Sequence, residues 1–288
     1  MFDPSDATKL ELNRRVFVGI GAGAAAIGAS VAGALAAGEG FGKPHPPIVP
    51  ENDPQIVVVR PKLPTGIAAY AAAPKQTSRA STTPGIVMVQ HAWGVDATIR
   101  DDVRRLAKAG FVTIAPELYG RAHPPSGDGT DDFNVFRPFM EQLDDVQVAR
   151  DLRAGADWIR TRAGAVPDGR PPKVGIMGFC MGGGIALQQT WENPRPYDAA
   201  VIFYGNVQSQ NADFINIPVM GNYGARDTGI PAPDVRAFFA KLSAPHDVKI
   251  YEAAGHAFFD DTRESYVASA AADAWTRTLA FFHKYLTA

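Results

Sequence analysis

Short apolar runs alternate along the chain with stretches whose apolar positions recur every three or four residues. Ile56 to Val59 reads as a strand, and Gly66 to Ala73 as its hairpin partner. A polar loop follows over Lys75 to Pro84. The apolar run of Gly85 to Val89 has no polar alternation, the pattern of a strand buried on both faces. Asp96 stands where a helix N-cap belongs, ahead of Ile99 to Ala109, which carries Val103, Leu106 and Ala107 on one face and Gly110 as its stop. Phe111 to Ala115 is the next strand, and a long polar loop runs on to about Asp132. Leu143 to Arg162 is an amphipathic helix with Val146, Ala149, Leu152, Ala156 and Ile159 on one face. Further strands fall near Val174 to Met177, Ala199 to Phe203, Ile217 to Asn222 and Asp247 to Tyr251. Between and after them, helices are predicted over Met181 to Trp191, Pro233 to Leu242 and Glu264 to Leu286. This alternation predicts an α/β fold, a mainly parallel central sheet with helices on both faces. In such a sheet, functional groups gather at the carboxyl ends of the strands.

The first residues follow a different pattern. Asn13-Arg14-Arg15-Val16-Phe17-Val18 is similar to a twin-arginine export motif. An uncharged Gly- and Ala-rich run follows, and Ala34-Leu35-Ala36 fits a small-x-small cleavage site. Residues 1–36 therefore read as a signal peptide, with the twin-arginine export machinery as a partner and a periplasmic or exported destination. An uncleaved N-terminal helix that tethers the protein to a membrane is the alternative. Residues 37–54 carry Pro44, Pro46, Pro47, Pro50 and Pro54 and read as a proline-rich linker or arm. Residues 55–288 form a single domain with no internal repeat.

Composition narrows the chemistry. The net charge of −2, without a strongly basic or acidic block, argues against nucleic acid as a partner. A single cysteine rules out an intramolecular disulfide, Cys-rich zinc sites and C-x-x-C redox chemistry. No metal or cofactor motif is found, so none is expected.

That cysteine sits in Gly178-Phe179-Cys180-Met181-Gly182, after an apolar strand and before a glycine-rich helix start. This is the Gly-x-nucleophile-x-Gly form of a nucleophile elbow, with Cys where Ser is usual. Glycine two residues to either side relieves the clash that a sharp strand-to-helix turn creates. The helix N-terminus beneath the sulfur favours thiolate. Asp227 and His256 each follow a strand end. The order Cys180, Asp227, His256 is the nucleophile–acid–base order of α/β-hydrolases. His256 would take the thiol proton and Asp227 would fix its tautomer. Two backbone amides are needed for an oxyanion hole. Met181 N–H supplies one, and the loop after Val89 the other, at Ala92 or Trp93.

Four further stretches stand beside the elbow: Pro116-Glu117-Leu118-Tyr119-Gly120-Arg121, Gly224-Ala225-Arg226-Asp227 with Ile230-Pro231, Gly255-His256-Ala257-Phe258, and Tyr266 to Ala272. With them, the chain over residues 55 to 286 resembles the dienelactone hydrolase (carboxymethylenebutenolidase) family of α/β-hydrolases. The resemblance implies hydrolysis of a small ester or lactone through a thioester on Cys180, with Asp227 and His256 completing the triad and no metal. The alternatives are a broad carboxylesterase or thioesterase, and a non-catalytic hydrolase-fold binding protein. Two positions depart from the family. His91 stands where the family carries a Glu that helps activate the thiol; it could bind substrate, pair with the thiolate or simply pack. Asp260 stands where dienelactone hydrolases carry an Arg for the substrate carboxylate, and Arg263 or Arg137 is placed to compensate. The candidate substrate-binding set is His91, Trp93, Arg137, Tyr204 and Asp260. A monomer or weak homo-oligomer is expected.

Overall fold

The protein is described by a computed structural model covering residues 42–75, 83–162, 171–191 and 196–287. The export signal read over residues 1–36 lies outside the described residues, as does the start of the proline-rich stretch. Eight strands form one sheet: β1 (Ile56–Val59), β2 (Ala69–Pro74), β3 (Gly85–Val89), β4 (Val112–Pro116), β5 (Val174–Phe179), β6 (Ala199–Phe203), β7 (Val219–Gly224) and β8 (His246–Tyr251). Their spatial order is β1-β2-β4-β3-β5-β6-β7-β8. Pairing is parallel from β4 through β8, while β1 and β2 join antiparallel at one edge. The order in which successive strands are added reverses at β3, with β4 on one side and β5 on the other, and in such folds the crevice at the strand carboxyl ends there is where ligands bind.

Helices α1 (Ala97–Lys108), α2 (Phe133–Glu141), α3 (Asp145–Arg162), α4 (Met181–Gln188), α5 (Ala232–Phe239) and α6 (Ala268–Leu286) connect and cover the strands. Strand side chains alternate between the two faces, and two apolar cores result. Val87, Ile176 and Ile202 pack with Leu152, Ile159, Ile185 and Phe238 from α3, α4 and α5. On the opposite face, Met88, Met177 and Val201 pack with Val103 and Leu106 of α1 and Phe282 of α6. Each fully buried Phe or Leu of this kind contributes roughly 1.5–3 kcal/mol through area removed from water. The sheet is thus a rigid platform, and the loops at its carboxyl edge are mounted on it.

Asp96 caps α1 as expected, accepting a hydrogen bond from Ile99 N–H at 3.1 Å. Two expectations fail. The stretch after the polar loop contains a helix, α2, that periodicity does not reveal. It is nine residues long, holds Pro138, and buries only Phe136 and Met140. The last helix starts at Ala268 rather than Glu264. Residues 258–267 instead make tight turns, with Asp260 N–H bonded to Ala257 O, Arg263 N–H to Asp260 O and Val267 N–H to Phe258 O. Residues 42–54 lie along α1. Ile48 and Val49 N–H donate to the two Asp101 oxygens at 3.0 and 2.9 Å, and Val49 is buried.

Candidate active site

Cys180 occupies the turn between β5 and α4 with φ 54° and ψ −120°. A non-glycine residue there is strained by about 1–3 kcal/mol, which its surroundings must offset. The neighbouring glycines explain how the turn closes. A Cβ on Gly178 would stand 2.0 Å from Gly182 O, and one on Gly182 would stand 2.2 Å from Gln90 O. Cys180 N–H donates to Phe203 O at 3.1 Å, which ties the elbow to β6, and Cys180 O accepts from Gly183 and Gly184 to start α4. Cys180 is 6% exposed and lines a pocket.

His256 and Asp227 meet beside it. His256 Nδ1 lies 2.7 Å from Asp227 Oδ2, and both residues are buried. The other carboxylate oxygen, Oδ1, accepts from Gly229 and Ile230 N–H at 2.9 and 3.1 Å, so the carboxylate is locked in place. A carboxylate can only accept, so Nδ1 carries the proton and Nε2 is left to accept one. Nε2 is buried, with no hydrogen bond among the described residues. Burial opposes a charge on the ring, but the negative charge available at Cys180, together with Asp227, outweighs it and raises the His256 pKa above its ordinary value. Cys180 and His256 are therefore coupled by charge.

Ala92 and Met181 are brought together by a residue known from the sequence only as part of a motif. Tyr119 O–H lies 3.1 Å from Ala92 O and 3.4 Å from Met181 Sδ, bridging the loop after β3 and the first residue of α4. Burial raises the Tyr119 pKa strongly, so the phenol stays neutral and keeps its proton. Met181 is the first residue of α4, so its N–H is among those with no intrahelical acceptor.

The pocket is lined by His91, Trp93, Cys180, Tyr204, His256 and Asp260, with Phe133, Arg263 and Glu264 at its sides. The structure thus places His91, Trp93, Tyr204 and Asp260 around one pocket. Arg137 is not among them: it points along α2 to Glu141, 3.5 Å away, and its side chain is half exposed. Three of the four non-glycine residues with positive φ among the described residues, Cys180, Tyr204 and Ala257, line this pocket. Strain is concentrated at the site.

A second histidine–carboxylate group shares the pocket. His91 Nε2 lies 2.9 Å from Asp96 Oδ1, close but off the axis of a hydrogen bond, and its Nδ1 lies 3.9 Å from Asp260 Oδ2. Arg263 completes the knot. Its Nε donates to Asp260 Oδ2 at 2.9 Å, its Nη2 is 3.7 Å from Asp96 Oδ2, and its Nη1 meets Asp131 Oδ1 and, at 3.2 Å, Thr130 O. The guanidinium also stacks on Trp93, 3.7 Å from the ring centroid. Asp96 and Asp131 could not be recognised as part of this group from sequence. Asp96 read as a helix cap and Asp131 as a loop residue, and no local pattern links either to residue 263.

The strand order and the elbow at the end of β5 define the class, an α/β-hydrolase fold. A solved structure provisionally titled a dienelactone hydrolase, from Klebsiella pneumoniae subsp. pneumoniae, superposes with a TM-score of 0.71. It is 33% identical, covering 80% of this chain and 99% of that one. The sequence pattern of the dienelactone hydrolase family matches residues 67–286, and the chain belongs to that family. A provisionally named carboxymethylenebutenolidase of Escherichia coli K12 is 35% identical over 255 residues, 83% of this chain and 91% of the relative. One from Yersinia pestis, under the same provisional name, is 35% identical over 236 residues, 76% of this chain and 84% of the relative. Fold and relatives make this chain a dienelactone hydrolase-like carboxylic ester hydrolase.

Proposed function

We propose that the protein hydrolyses an ester or lactone of a small molecule with Cys180 as nucleophile, through a thioester acyl-enzyme. The observation that carries this reading is the buried His256–Asp227 pair at 2.7 Å, with its Nε2 uncommitted beside a strained, glycine-flanked Cys180. His256 takes the thiol proton, and the thiolate adds to the acyl carbon. The developing oxyanion is held by the amides of Met181 and Ala92, which Tyr119 keeps in register. As the C–O bond breaks, His256 returns the proton to the departing oxygen. A water then adds to the thioester with His256 again as base, releasing the acid and the free thiol. Asp227 holds the ring and balances the imidazolium throughout.

The test is a p-nitrophenyl ester assay combined with intact-mass detection of an acyl adduct on Cys180, in wild type and in the Cys180→Ala and His256→Ala variants. Adduct on Cys180 and loss of turnover in both variants is the expected result. Turnover that survives both substitutions sinks the triad. Residues 1–36 are read, on their Arg14-Arg15 motif, the uncharged run after it and the Ala34-Leu35-Ala36 site, as sending the folded enzyme out of the cytoplasm. Fractionation of cells with and without Arg14→Lys/Arg15→Lys checks this, and unchanged export refutes it.

A further inference from the structure

The charge of the pocket points to a substrate class. Three carboxylates, Asp131, Asp260 and Glu264, line the pocket that holds Cys180, against one guanidinium, Arg263. That guanidinium is already committed. All three of its nitrogens face carboxylates: Asp260 from Nε, Asp131 from Nη1 and Asp96 from Nη2. Trp93 covers one of its faces. The guanidinium binds three loops to one another, those after β3 and β8 and the one before α2, and its charge is balanced within them. Two arginines outside the pocket lining are also paired. Arg137 reaches Glu141, and Arg121 makes a two-pronged pair with Asp151 at 2.6 and 2.9 Å. What remains for an acyl group is apolar or aromatic surface from Trp93, Phe133 and Tyr204, rimmed by acid.

Resting on the hydrolase reading above, we propose that this site takes acyl groups without negative charge, neutral esters or lactones, and rejects those bearing a carboxylate. A carboxylate entering the pocket would meet like charge, while the cations that line it, Arg263 and a protonated His256, already face carboxylates of their own, which disfavours it before chemistry begins. Asp131 is the lever. Its side chain is 77% exposed and touches Arg263 from the rim, so neutralising it loosens the guanidinium toward the pocket.

The experiment compares p-nitrophenyl hexanoate with mono-p-nitrophenyl adipate, a methyl-for-carboxylate pair, in wild type, Asp131→Asn and Arg263→Gln. The expected result is a kcat/KM at least about tenfold lower for the adipate ester in wild type. Asp131→Asn should narrow that gap, and Arg263→Gln should lower both rates together. An adipate ester turned over as well as the hexanoate overturns the proposal, as does a selective loss of adipate turnover in Arg263→Gln. Asp131→Asn carries the variant arm where Arg263→Gln does not fold. Alkylation of Cys180, the single cysteine, gives an independent readout. The ratio of iodoacetamide to iodoacetate rates should exceed that of N-acetylcysteine, and a ratio at or below that reference overturns the proposal. If neither ester is turned over, the hydrolase reading fails while the alkylation ratio still decides the charge preference.

Discussion

Two histidines in one pocket, each beside an aspartate, are put to opposite uses. His256 spends one nitrogen on Asp227 and keeps the other, Nε2, buried and unbonded beside the thiol. His91 has a carboxylate facing each nitrogen, Asp96 at 2.9 Å and Asp260 at 3.9 Å. The first arrangement can pass a proton, because one nitrogen is held while the other is free to accept. The second turns both nitrogens toward carboxylates rather than toward the thiol, and sits in a charge network closed by Arg263. Their anchoring differs as well. Asp227 is fixed by two backbone amides, whereas Asp96 divides one oxygen between a helix cap and His91. The lesson is that a histidine–aspartate distance does not identify a catalytic pair; an unspent valence facing the nucleophile does.

The comparison breaks most readily at the proposed nucleophile and its base. Cys180→Ala or His256→Ala should lower kcat/KM for a good ester by roughly 10⁴-fold or more, since either removes a step nothing else supplies. Asp227→Asn should cost about a thousandfold in kcat, because the amide cannot balance the imidazolium or enforce the Nδ1–H tautomer. Its KM should change little, and a loss confined to KM would contradict the role.

His91→Gln should do far less to chemistry, within about tenfold in kcat, while lowering stability by about 1–3 kcal/mol in urea unfolding as Asp96 and Asp260 lose a partner. Abolished turnover in a folded His91→Gln protein would make the two histidines equals and end the contrast. Tyr119→Phe should lower kcat by about tenfold with little change in KM, because it unlinks Ala92 from Met181 without touching the nucleophile.

The finest test is a titration. The His256 pKa is raised chiefly by Cys180, then by Asp227, against burial. Cys180→Ala should therefore lower it, by at least about one unit, in an imidazole NMR titration. The sign carries over to stability. A histidine whose folded pKa exceeds its unfolded value of about 6.5 contributes stability that is fully present below that pH. The contribution is lost as pH rises through the folded pKa. Wild type should lose more stability than Cys180→Ala between neutral pH and the folded-state titration, and identical pH profiles would show that the charge coupling is absent.

The sheet was largely legible because each strand announces itself locally. Gly85 to Val89 and Ala199 to Phe203 are unbroken apolar runs between polar segments, and their full burial follows. The amphipathic stripe of Leu152, Ala156 and Ile159 placed α3 for the same reason. Helix α2 was not legible, because two buried residues around a proline make no periodic stripe. Arg137 was expected near substrate as a cation to compensate for Asp260; the helix that forms there turns it toward Glu141.

By itself the sequence determined the elbow and the order of its partners. Glycines at 178 and 182, and polar residues just past strand ends, are decided by neighbours a few residues away, where sterics are local. Only the tertiary structure decided that residues 91, 96, 131, 260 and 263 form one charge network beside Cys180. Those contacts join loops more than a hundred residues apart, and the sheet register and the turns after His256 bring them within ion-pair reach. Electrostatic energy depends on that distance and on burial, neither of which a linear pattern contains. The elbow therefore indicates what reaction this chain is built for, and the packing of its loops sets the charge of what can enter.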